Sequence, residues 1–224
     1  VAGVRKTSNT KYLPQHEVHR VELNLSSVET LTQQLKECAQ QWGGLDYIVH
    51  NAGITQARKK QDYFSVNYEG VKNISDALVA SEVKIKKFTL ISSLAAYGPG
   101  DALSQKKITK NDSPHPISTY GKSKLMGEQY IKPLQHFPYL IINPTAVYGP
   151  RDKDFFELVK LINNGFEFYI GTDKQMVSLI YVKDLARAVI LSTLSSFKNK
   201  SYIVADTKDY DKTELGEAVK SILH

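Results

Sequence analysis

Cysteine is nearly absent from this sequence: Cys38 is the single one among 224 residues. An internal disulfide is excluded, and a reducing compartment, the cytoplasm, is the expectation. Long apolar runs are missing too. A membrane-spanning helix needs about 18 or more consecutive apolar residues, and no such run occurs. No secretory signal pattern opens the chain. Cysteine and histidine never fall at zinc-ligand spacing, so no metal site is expected. No G-x-S-x-G elbow is present to expose a nucleophilic serine. Charge of one sign is not in large excess either, with 29 basic and 23 acidic residues and a formal net charge of +6. The densest basic clusters, Lys84, Lys86, Lys87 and Lys106, Lys107, Lys110, read as solvated faces. They argue against a nucleic-acid or membrane partner.

What is present suits a globular α/β protein. Hydrophobic residues make up 42% and charged residues 23% of the chain, ordinary values for a domain with a real core. Short β-rich apolar runs lie at Val1–Val4, Glu17–Val21, Tyr47–His50, Phe88–Ser92 and Tyr139–Asn143. Amphipathic helical patterns lie between them. Val28, Leu31, Leu35, Cys38 and Ala39 share one stripe, as do Phe64, Tyr68, Val71, Ile74 and Leu78 within Gln61–Ala80. A third helix is predicted over Thr119–Ile131, stopping before Pro133. Strands alternating with helices predict βαβ units and a parallel sheet covered on both faces. The nearly all-apolar runs at Asp46–Val49 and Phe88–Ile91 fit buried parallel strands. After Gly149 and Pro150 the character changes. A helix is predicted around Phe155–Ile162, strands at Phe168–Ile170, Leu179–Tyr181 and Tyr202–Val204, and helices at Asp184–Leu194 and Thr213–Leu223. The expected organisation is a dinucleotide-binding unit over residues 1–150 and a small substrate lobe over 151–224.

Three segments carry chemistry. Tyr120 and Lys124 are four apart on a predicted helix and share a face. An ammonium near a phenol favours phenolate, which makes tyrosine a usable proton donor or acceptor near neutral pH. By itself that spacing also describes an ordinary surface helix. Ser92 and Ser93 end a predicted strand in the run Leu90–Gly98. Hydroxyls at the carboxyl end of a parallel strand point into the crevice where such sheets bind ligands. His50, Asn51, Ala52 and Gly53 close another strand with small residues that permit close backbone approach. His50 alone reads as a structural histidine rather than a base.

Taken in order, these segments resemble the extended short-chain dehydrogenase/reductase family, which holds nucleotide-sugar epimerases and dehydratases together with reductases of the dihydroflavonol reductase and 3β-hydroxysteroid dehydrogenase kind. The matching pieces are His50–Gly53, Val66–Gly70, Ile91–Gly98, Tyr120–Lys124, Pro144–Pro150 and Ile180–Ala186. The resemblance implies a Rossmann-like doubly wound parallel sheet and a Ser-Tyr-Lys catalytic site. Tyr120 would be the general acid/base, Lys124 would lower its pKa and hold the nicotinamide ribose, and Ser93 would hydrogen-bond the reacting oxygen. Asn67 would fix a strand end near the cofactor. Asn51, Ala52, Gly53 and Asn143, Pro144, Thr145, Val147 would line its path. Asn24 and Leu25 stand where the family usually has Asp-Leu against the adenine. Tyr97 and Arg151 fall on the substrate side, and Arg151 reads equally as a solvent-facing charge. The resemblance further implies a homodimer through helices 61–80 and 119–131.

Two departures qualify it. The family opens with a strand, a G-x-x-G-x-x-G loop and a helix that cradle the pyrophosphate. Residues 1–5 match the end of its second strand instead. The expectation is therefore a piece of a longer chain without the first βα unit, ending earlier than the family at the other terminus too. After that strand, dinucleotide folds place an acid for the NAD ribose diol or an Arg for the NADP 2′-phosphate. Here Arg5 follows, with Lys6 and Ser8 beside it and no acid before Glu17. NADP(H) is expected ahead of NAD(H), although a basic exposed loop would look the same. The reading is a hydride-transferring oxidoreductase acting on a ketone or secondary alcohol. The alternative is a nucleotide-sugar epimerase or dehydratase with tightly held NAD. A small-molecule substrate is common to both.

Overall fold

A computed structural model describes residues 1–14, 16–101, 104, 106–165 and 176–223. Strand β1 (Ala2–Val4) pairs in parallel with β2 (Arg20–Glu22). The main sheet is parallel throughout, in the order β3 (Tyr47–His50), β4 (Lys87–Ile91), β5 (Tyr139–Pro144), β8 (Lys200–Val204). A third sheet joins β6 (Ala146–Tyr148) to β7 (Met176–Tyr181) in parallel and β7 to β9 (Asp209–Asp211) antiparallel.

The two faces of β4 show why the sheet is covered twice. Phe88 and Leu90 point into a core with Leu31 and Leu35 of α1 (Val28–Trp42) and Val71, Ile74 and Leu78 of α3 (Gly70–Ser81). Ile131 of α4 (Thr119–Ile131) joins the same core. Lys87 and Thr89, one residue out of phase, point to the opposite face. There α6 (Val182–Leu194) ends. The Lys87 ammonium donates to the carbonyls of Ser192, Thr193 and Ser195 at 3.2, 2.9 and 2.6 Å, and the Thr89 and Thr193 hydroxyls hydrogen-bond at 2.9 Å. A cation satisfying the last carbonyls of a helix suits the negative end of its dipole. The architecture is α/β with a parallel central sheet, as the strand–helix alternation predicted.

The helix expected over Gln61–Ala80 is broken into α2 (Lys60–Phe64), a π-type turn at Ser65–Glu69, and α3. The wider turn adds a residue within the helix, a device common near functional sites, and Asn67 sits buried within it. β8 lies beyond residue 150 yet pairs with β5, so the segment assigned to the lobe also supplies the edge of the main sheet. The remainder of that segment holds α5 (Asp154–Asn163), β7, α6, β9 and α7 (Lys212–Leu223). The strand expected at Phe168–Ile170 lies outside the described residues. Strands β6 and β9, three residues each, carry no periodicity that would have revealed them. No described helix is long and apolar enough to cross a membrane.

Candidate active site

The carboxyl ends of β3, β4 and β5 and the first turns of α4 meet at one end of the main sheet. Parallel sheets bind ligands at this end, because the connecting loops leave a crevice there. Ser93 follows β4 and caps a short 3-10 turn at Leu94–Ala96, its hydroxyl accepting from the Ala95 amide at 3.2 Å. The first turn of α4 lies against that turn. A Cβ at Gly121 would meet the Ala95 carbonyl oxygen at 2.2 Å, so only glycine permits the contact. Ser118 caps the helix, accepting from the Gly121 amide at 3.0 Å. This close seating brings Tyr120 to Ser93.

Tyr120 is mostly buried beside Ser93, with the edge of the Tyr63 ring against it at 6.3 Å between centroids. Burial raises the Tyr120 pKa, and the hydrogen bond with the Ser93 side chain works against that rise. Lys124, one turn on, is buried and donates to the Ile91 carbonyl at 2.8 Å. Burial brings its pKa down to about 8, opposed by the nearby Glu128 carboxylate. The ammonium is turned onto the end of β4, and Ser93 is the group that favours the phenolate.

Asn67 ties the loop after β3 to the helices. Its side-chain oxygen accepts from the Ile54 amide at 2.8 Å, and its amide donates to the Ile54 carbonyl and the Ser123 hydroxyl, both at 3.0 Å. A Cβ at Gly53 would lie 3.1 Å from that oxygen and 3.3 Å from the Lys124 ammonium. The missing side chain leaves a cradle bounded by Asn67 and Lys124. Among the described residues, two buried polar atoms at this end have no hydrogen-bond partner, His50 Nε2 and Asn143 Oδ1. His50 is stacked on Phe88, and burial, followed by the Lys124 charge, lowers its pKa to about 4. Unpartnered buried polar atoms and a side-chain-free cradle fit a polar ligand.

A slot of about 570 Å³ is lined by residues of β1, β2, α1 and β3 and the loops beside them. It brings together Arg5, Ser8, Leu25, Asn51, Ala52 and Gly53 from the expected cofactor set. Arg5 and Ser8 form a tight turn, the Arg5 amide donating to the Ser8 hydroxyl at 2.9 Å. Lys6 and Asn24 do not line the slot. Lys6 is exposed, and the Asn24 side chain accepts from the amide and hydroxyl of Ser26 at 3.1 and 2.6 Å. Asn143 is buried at the end of β5 and donates to the Ser93 carbonyl at 3.1 Å. Pro144 closes that strand, and the Thr145 amide donates to Val204 of β8 at 3.0 Å. Val147 is held in β6 opposite Ile180. Tyr97 is buried beyond the 3-10 turn. Arg151 adopts a positive φ of 76° and stacks its guanidinium 4.0 Å from the Tyr12 ring centroid. Among the described residues no group of three or more His, Cys, Asp or Glu side chains could hold a metal.

Similarity to known proteins follows the same pattern. The profile described as NAD dependent epimerase/dehydratase family matches residues 1–205. The chain belongs to that family. Ceramide reductase of Caulobacter vibrioides is 27% identical over 147 residues, 66% of this chain and 40% of that protein. The chain thus spans less than half of that relative. UDP-N-acetylglucosamine 4-epimerase from Methanobrevibacter ruminantium superposes with a TM-score of 0.79 at 22% identity, covering 97% of this chain and 72% of that one. UDP-glucuronic acid 4-epimerase from Bacillus cereus, solved with NAD, gives 0.74 at 23% identity over 91% and 65%. At such identities the two structures speak for the fold.

Glu128 is the site residue that the sequence reading passed over. It is fully enclosed, two turns beyond Tyr120 on the same stripe of α4. Extending the four-residue spacing Tyr120, Lys124 by one further step would have found it.

Proposed function

We propose that this chain carries a nicotinamide-dependent hydride-transfer site acting on a secondary alcohol or the corresponding ketone. The observation that carries the reading is the convergence of Ser93, Tyr120 and Lys124 at the carboxyl end of the parallel sheet. When bound, the nicotinamide supplies or accepts the hydride. The Ser93 hydroxyl holds the substrate oxygen, and the Tyr120 phenol donates the proton to it or takes the proton from it. Lys124 binds the ribose side through the cradle at Gly53, and Asn67 keeps that cradle open. Asn143, Pro144, Thr145 and Val147 border the nicotinamide path, while Tyr97 and Arg151 stand towards the substrate. Arg5 and Ser8, at the end of β1, support NADP(H) ahead of NAD(H) through a guanidinium able to meet a 2′-phosphate.

A second reading is an epimerase or dehydratase that returns the hydride to its own substrate and holds NAD throughout. The family profile and the NAD-bound epimerase from Bacillus cereus favour it. Cofactor extracted from the purified protein and identified by mass spectrometry separates the two. Tightly held NAD, with nucleotide-sugar interconversion and no net redox, selects the second. Fluorescence titration with NADPH and NADH, followed by net oxidation of NADPH on a carbonyl substrate, selects the first. No nicotinamide binding by the full-length protein overturns both. Pairing of two copies through helices 61–80 and 119–131 belongs to the same proposal, and sedimentation velocity tests it.

A further inference from the structure

The most enclosed ionisable side chain at this end of the sheet takes no part in the chemistry just described. Glu128 has no exposed surface and lies on α4 in the series Tyr120, Lys124, Glu128, each four residues from the next. Its Oε1 accepts from the Ser92 hydroxyl at 2.5 Å and from the Asn143 side-chain amide at 2.6 Å. Its Oε2 faces the Lys132 ammonium at 3.5 Å. Asn143 donates from the same nitrogen to the Ser93 carbonyl at 3.1 Å. A buried carboxylate is costly unless donors surround it. Here the donors come from the residue just after β4, from β5 and from α4, the elements that must stay in register for Ser93 to meet Tyr120.

Resting on the hydride-transfer reading above, we propose that Glu128 is a positioning residue for this site: its carboxylate, bridged through Asn143 to the Ser93 backbone, holds Ser93 against Tyr120 and supplies the counter-charge that keeps Lys124 an ammonium. Among the described residues no carboxylate lies within salt-bridge distance of Lys124, and its ammonium donates to the neutral Ile91 carbonyl. Burial lowers its pKa, and the Glu128 charge, one turn along the same face of α4, opposes that fall. The other titratable groups around this cluster are His50 from β3, Tyr63 from α2, Tyr97 beyond the 3-10 turn and Lys132 on α4. None of these supplies a negative counter-charge: His50 is held neutral and Lys132 is itself a cation.

The test reads Lys124 and Tyr120 directly, with neither substrate nor cofactor present. In protein carrying ¹³C at lysine Cε, the Lys124 resonance is assigned by its loss in Lys124→Arg and titrated with pH. The wild-type midpoint should fall at about 8. Glu128→Gln removes the charge with little change of shape and should move that midpoint down by about one pH unit, while Glu128→Asp restores most of it. Asn143→Ala keeps the carboxylate but cuts the bridge to Ser93. It should raise the Tyr120 phenol titration, read by ultraviolet difference against Tyr120→Phe, and leave Lys124 near its wild-type midpoint. An unmoved Lys124 midpoint in folded Glu128→Gln overturns the proposal, as does an unmoved Tyr120 midpoint in Asn143→Ala. If Glu128→Gln does not fold, the Asn143→Ala arm decides alone. Nicotinamide binding is measured separately, so both midpoints can shift as expected in a protein that binds no nicotinamide. That result would sink the hydride-transfer reading and leave the coupling standing.

Discussion

At the carboxyl end of the main sheet, Ser92, Asn143 and Glu128 are almost wholly enclosed, and each makes a hydrogen bond across element boundaries. On α6, after residue 150, Ile190, Leu191 and Leu194 stand 57%, 69% and 60% exposed. Both regions are helix-on-sheet packing, and both carry apolar residues at helical spacing. They differ in what the helix must achieve. α4 has to deliver Tyr120 to within hydrogen-bond reach of Ser93, so close contacts at Gly121 and polar clamps at Glu128 and Asn67 are built around it. α6 covers the far face of β4 and β5, fastened at its end by Lys87 and Thr89. Tolerance to substitution should therefore be narrow around α4 and wide on the outer face of α6.

The largest effect should come from Tyr120→Phe. Under the proposed chemistry it lowers turnover by about 10²–10⁴-fold, the range for removing a general acid/base, with far less effect on cofactor affinity. A variant that keeps its turnover would remove the chemical reason for the difference between the two regions.

Acid should act next, through His50. This group is neutral in the fold, with its pKa brought down from 6.5 to about 4. The unfolded chain takes up the proton as pH falls through 6.5, and the folded one does not until about 4. Stability is therefore fully present above pH 6.5 and is lost between 6.5 and about 4, by up to about 3 kcal/mol. Urea unfolding across that window measures it, and His50→Gln should flatten the profile. A wild-type curve flat between pH 6.5 and 4 would mean that His50 is protonated in place.

Gly121→Ala should cost about 1–3 kcal/mol, since its Cβ would sit 2.2 Å from the Ala95 carbonyl oxygen and must push α4 away. The same variant should move the Tyr120 titration, because the helix carries the phenol away from Ser93. Ile190→Ser on the outer face of α6 is the control and should change stability by no more than about 0.5 kcal/mol. A larger loss there would show that this face is covered in the folded protein, and would erase the contrast.

Much of the site was legible in residue patterns. Tyr120 and Lys124 lie at helical spacing, Ser93 ends an apolar run, and Gly53 follows a strand, so period and punctuation raised all four as candidates and the family resemblance gave them roles. The direction of the Lys124 ammonium was not legible. Spacing put it beside Tyr120, while packing turned it onto the Ile91 carbonyl and left Ser93 as the partner of the phenol. The break in the helix at Ser65–Glu69 was hidden as well. Its apolar stripe runs on through the π-type turn, and only the pull of Asn67 on both the Ile54 amide and the Ser123 hydroxyl reveals why the extra residue is there. Glu128 escaped because a glutamate on a helix reads as a solvated charge until its neighbours are known.

The sequence by itself determined the alternation of the main-sheet strands with their helices, which run ends carry small or hydroxyl residues, and the shared face of Tyr120 and Lys124. These are local properties, set by side-chain period and backbone preference. Only the tertiary structure decided which groups are buried together, and hence which way each pKa moves. His50 stays neutral, Lys124 is depressed, and Glu128 sits amid three donors because strands distant in sequence close around them. Desolvation and hydrogen-bond satisfaction depend on what surrounds an atom in space, and the linear order of residues does not contain that.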